Sequence, residues 1–229
     1  SFAAVAQAVV EGQRILNGMQ DILKLFLTRI MTVGLVVISS LVVAVFPIEL
    51  RNASVLTVFT VGIPSALLAV WAQPGHRIRD TLGRTLARFV VPAAVVSSLV
   101  GTVLFVGVLF LGTSVDAHPF DRSLKDAQTV LTSYLVYSGL FLILFVEPPI
   151  PWFAAAEPVT TDRRPALLAV GLAIGYAVVL QIPPLRDFFQ LVGPGPREAG
   201  LVVLGVAAWL LLVRTFWTRR LVGRFLGFE

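Results

Sequence analysis

The sequence contains no cysteine, which excludes disulfide frameworks, thiolate metal sites and cysteine nucleophiles. It has two histidines, His76 and His118, in separate polar segments, and they read as solvated loop residues rather than as a metal pair. Charge is scarce as well, at 14% of 229 residues, against about 25% in a soluble globular domain. Hydrophobic residues reach 57% and the mean hydropathy is +0.88, so the soluble class is excluded. There is no phosphate-cradling glycine loop, no metal-ligand cluster and no catalytic triad, so the chain alone should hydrolyse nothing. The net charge of +5 is spread over short loops instead of one face, which removes nucleic acid as a partner and leaves the lipid bilayer.

What is present is a series of apolar windows. Crossing about 30 Å of hydrocarbon as a helix takes roughly 20 residues. Six windows qualify, at about 30–48, 52–71, 89–115, 127–146, 165–183 and 199–217. The expected fold is all-α and integral to the membrane: a stalk helix over 1–24, continuous with the first of six transmembrane helices in a domain over 25–229. Arg14, Lys24 and Arg29 precede the first span, and Arg77, Arg79, Arg84 and Arg88 follow the second. Arg163 and Arg164 follow the fourth and Arg219, Arg220 and Arg224 the sixth, while the opposite side holds only Arg51, Arg122, Lys125, Arg186 and Arg197. The positive-inside rule therefore puts both termini in the cytoplasm, and Trp71, Trp152 and Trp217 fall at that same interface.

The stalk carries an apolar stripe of Val5, Val9, Ile15, Met19, Ile22 and Leu23 at helical spacing. It lacks the basic start and unbroken apolar core of a secretory signal. A start at Ser1 and a stalk with nothing in the chain to pack against suggest a piece of a longer protein.

Polar groups inside the spans are the remaining candidates for chemistry. Most are serines and threonines, which in membrane helices bond their own backbone or join helix to helix. Gly171 and Gly175 in GLAIG read as a small-residue packing motif. TVFTVGIP at 57–64 is different, because Pro64 removes a helical hydrogen bond and clashes with the Thr60 carbonyl, while Gly62 makes room for the distortion. Carbonyls near Val58 and Val61 then become free hard-oxygen donors, and Thr57 and Thr60 add two hydroxyls three residues apart. Such irregular backbone at membrane depth suits cation coordination, and a simple packing kink is the alternative.

These segments resemble the carboxy-terminal membrane half of P-type cation-transporting ATPases. VVEGQRIL is similar to the passage from their phosphorylation domain into the fifth transmembrane helix. TVFTVGIP corresponds to N-L-V-T-D-G-L-P in the sixth helix of the calcium pumps, and DAQTVLTSYLVYSGLFLILF resembles the start of the eighth. Thr60, Gly62 and Pro64 match; Thr57 stands where calcium pumps have asparagine and Val61 where they have the ion-binding aspartate. Met31 and Gly34 fall where the fifth helix supplies an asparagine and a glutamate, so no buried carboxylate is expected in the spans. The pattern is closest to a bacterial subgroup associated with calcium transport. The resemblance implies helices five to ten of an ATP-driven pump of the bacterial plasma membrane, with ATP and Mg2+ acting in the parent protein and a divalent cation, calcium first, as cargo. Its partners would be the amino-terminal membrane helices and cytoplasmic domains of the same polypeptide. A self-contained channel, carrier or scaffold is the rival reading, and a membrane half that has lost ion binding is the third.

Overall fold

The computed structural model describes residues 2–41, 44–72, 82–116, 119–154 and 159–218. Among them there are only helices and connecting turns. The helices are α1 (Phe2–Ser40), α2 (Leu50–Thr57), α3 (Ile63–Trp71), α4 (Leu82–Phe110), α5 (Phe120–Val146), α6 (Arg164–Gln181), α7 (Pro183–Phe188) and α8 (Pro196–Thr218). A π-helical turn, Val58–Gly62, joins α2 to α3, and a second, Leu111–Val115, ends α4. Six helical stretches are long and apolar enough to cross a membrane, so the all-α integral membrane fold holds.

α5 is the axis of the bundle. Its span is 83% buried, against 22% to 44% for the other five, because α4, α6, α8 and α2 all pack around it. That arrangement explains why a helix with so many hydroxyls can be central: Ser133 bonds the Tyr176 hydroxyl at 2.9 Å, and Tyr134 donates to the Ser97 carbonyl at 3.2 Å. Lipid is as apolar as leucine, so close packing and such polar links hold membrane helices together. At one end Phe145 gathers Phe153, Trp152 and Trp217, with Phe89 stacked on Trp217 at 4.8 Å and the Arg214 guanidinium 4.5 Å from the Trp152 ring. Of the GLAIG glycines only Gly175 meets a neighbour, Phe59; Gly171 faces open space.

The first span differs from the window read from sequence. α1 stops at Ser40, where Ser39 and Ser40 turn their hydroxyls back onto the Val36 and Val37 carbonyls, and Ala44 adopts a left-handed φ of 53°. Residues 44–49 are turns ahead of α2, consistent with Pro47 disfavouring helix before it. The qualifying helical stretch runs from Ala4 to Ser40, and a crossing of about 20 residues that ends with the helix at Ser40 would begin near Asp21 and take in Lys24 and Arg29. A window chosen for lack of charge slid toward the carboxy terminus for that reason. The amino-terminal part of α1 is continuous with the span and is not wholly alone: Arg14 donates to the Val70 carbonyl at 2.6 Å, and Gly18 meets Ala69 and Ala72. Val5, Val9, Ile15 and Met19 stay exposed. Arg77, Arg79, Arg219, Arg220 and Arg224, together with His76 and His118, lie outside the described residues.

Candidate functional site

The helix interruption coded by TVFTVGIP is a widened turn. Backbone angles stay helical from Thr57 to Ile63, and the Ile63 N–H bonds the Val58 carbonyl, five residues back. The Phe59 carbonyl therefore loses its ordinary donor, Ile63, and the Thr60 carbonyl loses its own because Pro64 has no N–H. π-Turns of this kind, inserted into α-helices, are frequent at functional sites.

The residues of the turn face different ways. Thr60 and Val61 are buried, with Pro64 beside them, whereas Thr57, Val58 and Gly62 are exposed on the outer face of the bundle. Each threonine hydroxyl donates to its own helix, Thr57 to the Ala53 carbonyl at 2.8 Å and Thr60 to the Leu56 carbonyl at 2.7 Å. An O–H that donates once keeps its lone pairs, so both oxygens remain acceptors. The structure thus separates Thr57 from Thr60, which helical spacing had put on one side.

Thr60 lines a cavity of about 30 Å³ between α1, α4, α5 and α8. A water needs roughly 10–15 Å³ on this measure, so the space holds a water or two, or one cation. Its polar walls are Thr28, Arg29 and Thr32 of α1, Ser97 of α4 and Ser138 of α5, with Trp209 of α8 donating to the Ser97 hydroxyl at 2.7 Å. Thr28 and Ser138 bond their own backbones at Lys24 and Leu135. The Thr60 side chain is seated against Gly139 of α5, where a Cβ would lie 2.7 Å from Thr60 Cγ2. Glycine here sets the spacing between the turn and the axis of the bundle.

Among the described residues no carboxylate lines the cavity, and the one charged group on it is the Arg29 guanidinium. Met31 is partly buried and Gly34 is exposed with nothing near it, so α1 presents Thr28, Arg29 and Thr32 to the cavity instead. One to two turns toward the amino terminus of α1, Asp21 and Lys24 form a buried ion pair at 3.5 Å, and Lys24 lies 5.6 Å from the Phe89 ring centroid. Asp21 is thus a buried carboxylate that the charge-free windows passed over. Sequence reasoning counted Thr132 only among the packing hydroxyls of the spans and passed over Asn52; both are fully buried, and among the described residues their hydroxyl and amide have no hydrogen-bond partner. The signal for Arg29 and Asp21 was the helix end at Ser40, which lay in local geometry and not in charge.

Over its whole length the chain is 26% identical to the calcium-transporting ATPase CtpE of Mycolicibacterium smegmatis, of which it covers 28%. Over 97% of its length it is 24% identical to the calcium-transporting ATPases CtpE of Mycobacterium bovis and Mycobacterium tuberculosis, covering 27% of each. The likeness to P-type calcium-associated ATPases is borne out. No family model matches the chain. It spans a little over a quarter of the length of these curated relatives. Among the described residues no three histidine, aspartate or glutamate side chains stand close enough to hold a metal ion.

Proposed function

We propose that this chain is the transport and support part of a longer ATP-driven P-type pump, corresponding to helices five to ten, and that calcium is the cation moved. The observation that carries the reading is the π-turn with Thr60 on a polar cavity, in a chain similar throughout to calcium-transporting ATPases. The Thr60 hydroxyl and the Phe59 and Thr60 carbonyls, which the turn leaves without their helical donors, supply neutral oxygens; Val61 adds its carbonyl, and the Val58 carbonyl, which already accepts from the Ile63 N–H, adds only its second lone pair. Thr57 supplies one from the outer face, where other helices of the parent would pack. Gly62 and Pro64 hold the turn open. ATP and Mg2+ act on domains outside this chain, whose movement reaches the cavity through α1. In this reading both termini lie in the cytoplasm and the membrane is the bacterial plasma membrane.

A second reading has one specific observation in its favour. The cavity holds a cationic group and no carboxylate, and divalent cations favour carboxylate oxygens, which suits a membrane half that supports the assembly without binding ions. The two readings part on a simple assay. The intact parent should hydrolyse ATP in response to calcium, and residues 1–229 purified alone should hydrolyse none. Hydrolysis by the parent that ignores calcium and other divalent cations would leave only the support role.

A further inference from the structure

Arg29 is a partly buried guanidinium on a candidate membrane-spanning helix, with no counter-charge paired to it among the described residues. It lines the cavity at the depth of Thr60 and Ser97, and among the described residues it makes no ion pair or hydrogen bond. Such a group stays ionised and carries five N–H donors with no acceptor of its own. Ionisable residues at membrane depth pair with one another or with backbone oxygens, because an uncompensated charge there costs several kcal/mol. The nearest acidic side chain on its own helix, Asp21, is already paired with Lys24 and lies two turns away. The other walls of the cavity contribute hydroxyls, apolar groups and an indole.

We propose that Arg29 pairs with a carboxylate brought to the cavity by a membrane segment of the longer protein outside these residues. The curated relatives are more than three times as long as this chain, which leaves ample sequence to supply it. A planar guanidinium matches a carboxylate with two parallel hydrogen bonds, so the pair is specific in geometry as well as charge. The inference rests on the pump reading for its consequence: this carboxylate is the oxygen donor that the cavity lacks for a divalent ion. Arg29 is then a positioning residue, holding the acid in its ionised form until the cation takes its place.

A hydrophobic carbodiimide tests this, because it modifies protonated carboxyl groups in apolar surroundings and spares ionised, paired ones. The intact parent would be treated as wild type, Arg29→Gln and Arg29→Lys, and the labelled positions found by mass spectrometry. The expected result is at least one membrane carboxyl outside residues 1–229 that is labelled several-fold more in Arg29→Gln and shielded again in Arg29→Lys. Calcium should suppress that labelling. Identical labelling in all three proteins would overturn the pairing. Labelling that rises in Arg29→Gln and ignores calcium would keep the pairing and count against the pump reading. Circular dichroism on each variant confirms that the helices persist.

Discussion

Among the described residues, Asn52 and Thr132 are two of four side chains, with Ser65 and Trp217, that carry a buried polar atom without a hydrogen-bond partner. Asn52 leaves both its amide oxygen and its amide nitrogen unpartnered, and the Thr132 hydroxyl is orphaned as well. A buried polar group without a partner costs about 1–3 kcal/mol. Removing both polar groups in Asn52→Leu/Thr132→Val should therefore raise the thermal unfolding midpoint of the detergent-solubilised parent. A fall would show that the two are bridged in the native protein, most simply by water. Thr57 and Thr60 teach a related lesson at the same scale. Their spacing was legible, and so was the proline that distorts the turn, but burial of one and exposure of the other followed from where α5 lies, which no local pattern encodes. Arg29 was legible as a charge and not as a membrane residue, because its depth depends on where α1 ends.

The π-turn is the element on which the account depends. Pro64→Ala would restore an N–H for the Thr60 carbonyl and allow the turn to relax toward an ordinary α-helix. The expected outcome is higher thermal stability, since alanine is favoured over proline by about 3 kcal/mol in a helix interior, together with weaker calcium stimulation of ATP hydrolysis. Retained stimulation with higher stability would reduce the turn to a packing kink. The seat of the turn can be tested separately. Gly139→Ala places a methyl 2.7 Å from Thr60 Cγ2, and overpacking of this kind costs about 1–3 kcal/mol. Thr60→Ser removes that methyl and keeps the hydroxyl, so the double variant should recover most of the loss in a thermal melt. Helix existence was readable from hydropathy for all six spans, while the start and stop of the first were displaced by Asp21, Lys24 and Arg29, charges that a charge-free window must avoid.

At the scale of the molecule, one helix is enclosed and the rest are open. α5 is surrounded by its own chain, whereas the outer faces of α1, of the π-turn at Thr57 and Val58, and of α6 at Leu167, Val170 and Ile174 are exposed. In a bilayer such faces meet lipid, and in a longer protein some meet other helices. The stripe of Val5, Val9, Ile15 and Met19 on the amino-terminal part of α1 is exposed too, consistent with a stalk that transmits movement from another domain in the proposed pump. The central claim is that the cation passes at the π-turn, beside Thr60. Calcium uptake by proteoliposomes containing the intact parent tests it most directly, with wild type beside Thr60→Val. Loss of one oxygen ligand to a charged species is worth about 1.5–3 kcal/mol, so ATP-driven uptake at low calcium should fall at least tenfold in Thr60→Val. Equal uptake by the two proteins, at every calcium concentration, would contradict the account.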